Sequence, residues 1–471
     1  MSSYSALSSL LSSSSTSSID ISSILQAAFG SSSSGLDVTS AVSSAITAAR
    51  APENTWEAEL STLESQISAL KSIQTSVSTL DSDMVNLNSV VGPLSTRTVS
   101  SSNSSLVTAS AASGTSMGNH TVTVSNLATT ASWASGVFSS STTDLPAGNF
   151  TITTGSGSTA TITTDGTQTL DDVVSQINAA GLGVTARVVT DASGARLAIV
   201  ANASGSASNF TVTDNSSAGY GFSQAAAGQN ASLTVDGIAI SSASNTVTGA
   251  IPGVTLSLLG ANSGTQVSLS VSQNTSSVES AINQFVSDYN SIITSLNSQF
   301  TFDGSSQGVL ASDSTVRNLQ STMLGILSYS YAPSSGTTTV SNLSQLGITV
   351  NNDGTLSVDS STLESMLQNN YSDVQSFFQG ASSNGFANSL DQQLTSFTDS
   401  GDGAFTVDLQ SMNSQVSDIE DTITNFEDNY ITPLKTKLQS EYSQAEILLQ
   451  QLPVEMQQIN TMLGYNNKSS S

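Results

Sequence analysis

Two long apolar seams, one near each end of the sequence, constrain this chain more than any other feature. In the first seam, apolar residues recur at alternating intervals of four and three, starting with Trp56, Leu60, Leu63, Ile67 and Leu70. This heptad spacing puts the side chains on one face of an α-helix, as in a coiled coil. It predicts one continuous helix from Asp37 to Val91, about 80 Å long, which Gly92-Pro93 ends. A rod of that length needs a partner for its apolar stripe.

The second seam lies near the other end of the chain. Its apolar residues follow helical spacing from Val416 to Leu463. The later members are Leu449, Leu452, Met456 and Ile459. The two ends of the chain are therefore predicted to pair as antiparallel or bundled helices. Pro433 and Pro453 interrupt the pattern, and because proline removes a backbone donor, we expect a kink or a fresh helix start at each.

The middle of the chain has the two-residue alternation of β-strands, for example at Thr121–Val124 and Val267–Val271. One short amphipathic helix, Leu170–Ile177, interrupts it, and residues 274–330 return to helix. The predicted fold class is α+β multidomain, in which N- and C-terminal helices pair as a coiled-coil or helical-bundle leg and β-rich head domains are inserted between them. The predicted divisions are a disordered Ser-rich tail at 1–34, an N-terminal helical leg at 35–98, an inner β head at 99–129 and 229–273, an outer β head at 130–228, a helical domain with a small β-hairpin at 274–412, and a C-terminal coiled-coil leg at 413–471.

The composition excludes several classes of partner. With 9 Lys and Arg against 35 Asp and Glu, the net charge is −26, which repels nucleic acid and anionic membrane surfaces. No apolar run approaches the roughly 20 residues of a membrane helix, so no membrane insertion is expected. The polarity comes mainly from Ser, Thr, Asn and Gly, as is common in exported proteins, yet no Sec-type signal precedes the first basic residue, Arg50. These features together indicate a dedicated export machine.

The residues that carry most enzyme chemistry are scarce. Cysteine is absent, which excludes disulfides and thiolate sites, and the single histidine, His120, is interpreted as a turn residue just before a strand. Asn351–Gly354 faintly resembles a calcium loop, but an Asp-Gly turn between two short strands explains it better. The carboxylate pairs Asp81/Asp83 and Glu420/Asp421 are interpreted as solvated helix faces. We predict neither a catalytic residue nor a cofactor or metal.

Blocks of sequence spread over most of residues 35–470 carry a resemblance to a known family. The opening Gly35–Ser40 followed by Arg50-Ala51-Pro52 combines a motif with its position. The remaining blocks are 99–109, 231–237, 245–247, 251–256, 285–290, 346–348, 353–356 and 374–378, with 169–178, 183–186 and 197–199 similar to a repeat shared with flagellins. On these residues the chain resembles the flagellar filament-capping protein, also called hook-associated protein 2. The Ser-rich extension before Gly35 departs from the family, and Ser18–Leu25 looks like a degenerate second copy of the opening at 36–38.

The resemblance implies a secreted protein at the distal tip of the flagellar filament. There a homo-oligomeric ring, of about five subunits, would retain exported flagellin beneath its heads and promote its folding and polymerisation. The implied partners are further copies of the chain, flagellin, the flagellar type III export machinery and an export chaperone. Contacts to other copies or to flagellin are predicted along the legs, at Leu36, Asp37, Val38, Pro52, Trp56, Leu60, Leu63, Ile67, Leu449, Leu452, Met456 and Ile459. For Asp37, an N-cap role is preferred over direct contact with flagellin.

Other readings of the sequence stay open. A hook-filament junction protein or a flagellin would share helical termini and a β head. An adhesin whose head binds glycans belongs to another class, and adhesion is compatible with capping. An enzyme is the least favoured, because no set of residues with catalytic spacing is present.

Overall fold

The computed structural model describes residues 38–462 except 217–218, 303, 305–306, 334–335, 337 and 381–383. The α-helices are α1 (Val38–Ala49), α2 (Ala51–Asn88), α3 (Leu170–Ala179), α4 (Thr275–Phe300), α5 (Ser314–Ile326), α6 (Ser360–Asn369), α7 (Tyr371–Gln379), α8 (Phe386–Thr398), α9 (Ala404–Phe426) and α10 (Thr432–Met462). Short 3-10 helices lie at Pro93–Ser95, Ser206–Ser208 and Leu343–Leu346, and a π-helical turn at Glu427–Ile431 joins α9 to α10. The predicted tail at 1–34 lies outside the described residues.

The strands are β1 (Arg97–Ser101), β2 (Val107–Ala111), β3 (Gly118–Asn126), β4 (Ser132–Ala134), β5 (Gly148–Thr154), β6 (Thr159–Thr164), β7 (Val184–Asp191), β8 (Gly194–Ala201), β9 (Phe210–Asp214), β10 (Ser223–Ala226), β11 (Ala231–Val235), β12 (Ile238–Ser242), β13 (Thr246–Ile251), β14 (Val254–Leu258), β15 (Val267–Gln273), β16 (Ile348–Val350) and β17 (Leu356–Val358). Every strand pairing given for these elements is antiparallel. The α+β prediction is therefore confirmed.

The first leg is two helices, so the prediction of one continuous helix from Asp37 to Val91 is wrong. Helices α1 and α2 meet at Arg50, and Pro52 occupies the first turn of α2. Proline has no N–H and disfavours helical geometry in the residue before it, so it fits a helix start better than an interior. The helix ends at Asn88, four residues before the Gly92-Pro93 stop.

Helix α2 forms the centre of the helical domain. Its seam residues from Leu70 to Leu87 are fully buried, and the helix packs against α4, α8 and α9. An aromatic group from α4, α7 and α8 fills the same core: Phe285, Phe377, Phe378 and Phe386. The predicted helix over 274–330 is divided into α4 and α5, and the predicted hairpin around Asp353-Gly354 is confirmed as β16 and β17.

The head contains two separate apolar cores. In the first, a five-stranded sheet (order β1-β15-β3-β11-β12) and a three-stranded sheet (β13-β14-β2) share one cluster that includes Val107, Leu233 and Leu269. In the second, the sheets β10-β4-β8-β7 and β6-β5-β9 pack with α3 around Phe150 and Ile199. The residues of each core fall within one of the two predicted head domains, although the predicted boundaries themselves stay a prediction.

The chain crosses between these two cores twice, and the two crossing segments lie side by side. Thr129 N donates to Gln229 O at 3.0 Å, and Gln229 N donates back to Thr129 O at 3.3 Å. Asn209 reinforces this crossing, since its side-chain amide donates to Gly228 O at 2.7 Å. The outer head is thus an insertion whose two ends are joined by a short antiparallel bridge.

Candidate assembly surface of the helical leg

The terminal helices pair in antiparallel fashion around an aromatic and ionic joint. The Trp56 ring meets the Phe426 ring edge to face, with 5.3 Å between centroids, and Phe426 stacks on Tyr430 at 5.1 Å. Beside this joint, Arg50 Nη1 lies 2.7 Å from Glu53 Oε2 and also pairs with Glu427. One guanidinium therefore links the start of α2 to the π-helical turn opposite it.

Glu53 is buried in this joint, which is unusual for a glutamate. Burial is the main cause that raises the pKa of the Glu53 carboxyl, and a hydrogen bond to Glu427 adds to it, while Arg50 opposes both. The joint holds two carboxyl groups around a single cation. It is an arrangement that positions the two helices relative to each other.

Beyond the joint, α1 packs along the first half of α10. A groove of about 680 Å³ between them is lined by Thr39, Val42 and Ile46 of α1 and by Lys435, Gln439 and Ser443 of α10. Ala41, Val42 and Ala45 are buried, so this part of α1 is covered. Of the kink or fresh helix start predicted at each proline, the structure shows a fresh α-helix start near Pro433, since α10 begins at Thr432 after the π-helical turn. No fresh start occurs at Pro453, because α10 continues without a break to Met462, and a kink there stays a prediction.

The second half of α10 leaves its apolar residues open. The exposed fractions are 41% for Leu449, 48% for Leu452, 56% for Met456 and 53% for Ile459. We call these four residues the C-terminal seam. They lie on one helical face at heptad spacing and so form an exposed apolar stripe of the kind that packs against another helix in a coiled coil.

The predicted contact residues of the N-terminal leg are distributed differently. Pro52 is exposed, Trp56 and Leu60 are half-buried, and Leu63 and Ile67 are buried. Val38 is the first residue of α1, with its side chain outside the described residues, as are Leu36 and Asp37 entirely. The structure thus packs Trp56 against Phe426 of the C-terminal leg and buries Leu63 and Ile67 within the same chain. Contact of any of these residues with another protein stays a prediction.

Pairs of facing carboxyl groups lie inside the helical domain and were not predicted from the sequence. Asp81 and Asp83 of α2 are not a solvated face, as predicted, but are half-buried and directed at Asp391 and Asp288. Burial first, and then the facing carboxyl, raises the pKa of Asp81 to about 6 and that of Asp83 to about 7. No described donor reaches Asp81 Oδ1 or Asp83 Oδ2, so a shared proton is what can join each pair.

A third pair repeats the arrangement, because burial and the charge of Asp313 raise the pKa of Asp408. The predicted solvated pair Glu420/Asp421 is exposed as expected. The missed signal is long-range: nothing near 81–83 in the sequence reveals that aspartates about two and three hundred residues away face these two positions.

His120 lies within β3, so its interpretation as a turn residue before the strand is wrong. Its Nδ1 lies 2.7 Å from Asp236 Oδ2, while Asp236 Oδ1 accepts from Thr121 N at 2.8 Å. Asp236 has a positive φ of 51° at the turn between β11 and β12. The hydrogen bond from His120 is the first cause that lowers the pKa of Asp236. The pair fixes a turn, which gives the strand histidine a structural role.

Within the described residues, no group of three or more His, Cys, Asp or Glu side chains has the arrangement of a metal site. Across the part of the chain that the structure covers, each helix is too short or too polar to cross a membrane.

Comparison of the sequence with known proteins finds one family that matches both ends of the chain. The model described as flagellar hook-associated protein 2 N-terminus matches residues 34–131, and the model for its C-terminus matches 228–453. A third model, the flagellin hook IN motif, matches 149–203, inside the outer head. The two models of the first family together span both legs, the inner head and the helical domain.

Individual relatives agree with this match. The flagellar hook-associated protein 2 of Aeromonas caviae is 27% identical over 345 residues, which cover 67% of this chain and 73% of the relative. The B-type flagellar hook-associated protein 2 of Pseudomonas aeruginosa is 29% identical over 336 residues, covering 64% and 70%. The crystal structure of the flagellar cap protein FliD D1-D2-D3 domains from Escherichia coli superposes with a TM-score of 0.58 at 25% identity, covering 73% of this chain and 99% of that one.

Proposed function

The chain belongs to the flagellar hook-associated protein 2 family, and from that premise we propose that it caps a bacterial flagellar filament at its distal tip. In this role it is exported, assembles with further copies into a ring, and retains flagellin so that flagellin folds and joins the filament. The absence of cysteine supports passage through an export channel as an unfolded chain, because no disulfide forms on the way. An export chaperone and the type III export machinery complete the proposed set of partners.

The observation that carries the proposal is the uncovered C-terminal seam at the end of a leg that is otherwise packed. Most apolar residues of the first seam are buried inside the helical domain, whereas Leu452 and Met456 of the C-terminal seam are about half exposed. A stripe of this kind is costly in water and favours burial against a helix of another molecule. In the proposed function, the assembled filament end provides that helix.

The proposal is tested by substituting the seam in cells that make the flagellum. A strain lacking the protein is expected to release monomeric flagellin into the medium and to form no filaments. Wild-type protein restores filaments, and a Leu452→Asp/Met456→Asp variant does not, because two charges cannot be buried in a helix interface. Filaments that form without the protein would overturn the capping role.

A matched control separates the seam from the helix that carries it. Gln458 is exposed on α10 and lies roughly on the opposite helical face from Met456, so Gln458→Asp adds a charge outside the seam. We expect this variant to restore filaments. Labelled protein at the filament tip, as seen by electron microscopy, distinguishes a cap from a hook-filament junction protein, which would be found at the base, and from a flagellin, which would label the whole length.

Adhesion through the outer head is a secondary proposal within the same role. The outer head is an insertion with its own core, so it can change its surface without disturbing the legs. Glycan binding by the full chain that is lost when surface residues of the outer head are changed would support it. Equal binding by both forms of the protein contradicts it.

A further inference from the structure

Strand β12 is an open edge of the inner head. It ends the five-stranded sheet, and among the described residues β11 is the one strand that pairs with it. The two-residue turn at 236–237 makes Val235 and Ile238 a hydrogen-bonded pair, and hydrogen-bonded pairs then alternate along the ladder. The backbone N–H and C=O groups of Ala239 and Ser241 therefore point away from β11, and both residues are exposed.

The apolar side of β12 also extends beyond the core to which it belongs. Ile238 and Ile240 lie directly opposite Val235 and Leu233, so all four side chains are on the core side of the sheet. Val235 and Leu233 are buried, whereas Ile240 is half-buried and Ile238 is 69% exposed. A strand added beside β12 would cover these two isoleucines and would pair the free backbone groups at the same time.

Nothing in the sequence of β12 protects this edge. Native edge strands usually carry a charge, a proline or a bulge that prevents pairing with another chain. Strand β12 reads Ile-Ala-Ile-Ser-Ser and pairs with β11 without a register shift. The neighbouring edge strand β13 differs, because its pairing with β14 shifts between Thr248 and Ile251, and Gly249 there has a φ of 78°. One edge on this side of the head is thus irregular, and the other is open.

The charge distribution favours a second copy of the chain as the partner of this edge. The inner head, residues 99–129 and 229–273, contains one acidic residue, Asp236, one histidine and neither Lys nor Arg, although the whole chain has a net charge of −26. Two inner heads can therefore approach each other without strong local repulsion. Charges in the other domains are largely screened beyond about 8 Å at physiological salt.

We propose that two copies of the chain join edge to edge through antiparallel β12 strands. When Ile240 of one copy lies opposite the partner's Ile240, each Ala239 lies opposite the partner's Ser241, so every outward-facing backbone group of the strand is paired. The two Ile240 residues form a pair without hydrogen bonds, with about 4.5 Å between Cα atoms, and their side chains pack together. The two five-stranded sheets become one continuous sheet across a two-fold axis.

This contact is small, which determines how it behaves. One five-residue strand from each copy is less than the roughly 1,600 Å² that holds a typical stable complex together. We therefore expect weak, reversible pairing that depends on protein concentration. The pairing needs neither flagellin nor a filament, so it does not rest on the proposed function.

Disulfide trapping tests the pairing in the full chain, which has no cysteine of its own. We expect Ile240→Cys to form a disulfide-linked dimer under mild oxidation, because the expected Cα separation suits a disulfide. The control is Ser268→Cys, an exposed position on β15 inside the same sheet. It is expected to cross-link about tenfold more slowly, since pairing at β12 does not bring its thiols together. Equal rates for the two variants, or no dimer from Ile240→Cys, overturn the proposal.

A second substitution tests whether backbone pairing causes the cross-link. Ala239→Pro removes an N–H of the open edge, whereas the matched Ala239→Thr keeps it and favours a strand. In the Ile240→Cys background, we expect the proline to lower the cross-linking rate to that of Ser268→Cys and the threonine to leave it unchanged. Circular dichroism checks that both variants are folded. Cross-linking that the proline does not reduce overturns the edge pairing. A functional cap whose Ile240→Cys variant gives no dimer refutes this inference alone.

Discussion

The carboxyl pairs in the helical domain make its stability depend on pH, and Asp83 is the clearest place to measure this. Burial, followed by the hydrogen bond and charge of Asp288, raises the pKa of Asp83 to about 7. Gln284 donates to Asp288 Oδ2 at 2.8 Å, so Asp288 has a donor where Asp83 Oδ2 has none, and Asp83 keeps the proton. A raised carboxyl pKa means that the folded state binds this proton more tightly than the unfolded chain does. The stabilisation is therefore complete below pH about 4 and is lost as pH rises through about 7.

The size of the effect follows from the two pKa values. In a dry site, moving the pKa of Asp83 from its ordinary 3.8 to about 7 corresponds to roughly 4 kcal/mol. The carboxyl is only partly buried, so water and salt screen most of this, and we expect about 1 kcal/mol. An Asp83→Asn variant, which cannot ionise and offers an amide donor to Asp288, is therefore expected to be about 1 kcal/mol more stable than wild type at pH 8. At about pH 3.5, below the ordinary pKa of the carboxyl, the gain falls to less than half of that value.

Denaturant titration followed by circular dichroism at 222 nm measures this difference, because all described α-helices except α3 lie outside the two head cores. The control is Asp421→Asn, which removes an exposed carboxylate from α9. It is expected to change the free energy of unfolding by less than about 0.5 kcal/mol at either pH. If Asp83→Asn destabilises the protein at pH 8, or stabilises it equally at both pH values, the argument from the shared proton is refuted.

Three further substitutions test the packing of the separate cores. Leu80→Ala removes a fully buried side chain of α2, and urea titration should show a loss of about 3 kcal/mol, with a loss under about 1 kcal/mol counting against the assignment. Thr169→Ala breaks the capping box that Thr169 and Asp172 form at the start of α3, and should cost about 1 kcal/mol in melting of the outer head followed by Trp133 fluorescence. An unchanged melting temperature contradicts that role. Tyr371→Phe removes the hydroxyl that donates to Leu94 O at 2.9 Å and should cost about 1 kcal/mol in the same urea titration as Leu80→Ala, whereas a stability equal to wild type would show the bond to be dispensable.

Much of the helical domain was predictable because its pattern is local. The heptad spacing in the first leg identifies the residues of α2 that are buried, from Leu63 to Leu87. The alternation at Thr121–Val124 and the Asp353-Gly354 turn likewise place β3 and the β16–β17 hairpin. In each case neighbouring residues carry the whole signal, so no knowledge of distant contacts is needed.

The errors occur where distant residues decide the outcome. Asp81 and Asp83 have the sequence context of a solvated face, and only the approach of α8 and α4 turns them into partners of Asp391 and Asp288. His120 is similar, since Asp236 reaches it only through the pairing of β3 with β11. The break at Arg50 has a different cause: the predicted helix ran across Pro52, which precedes the first seam residue Trp56 and is tolerated only at the start of a helix.

The two seams look alike in the sequence but differ in their burial in the structure. Ile67 is buried in the helical domain, so a charge placed there would act on folding of the single chain. Met456 is exposed on α10, and α1 packs along the first half of that helix. A charge at Met456 is therefore expected to leave the fold intact and to weaken only the binding of a partner to the seam. The buried seam thus lies on α2 and the exposed seam on α10, and contact of the exposed seam with another protein stays a prediction. Among residues 38–462, no described helix pairs with the last turns of α10.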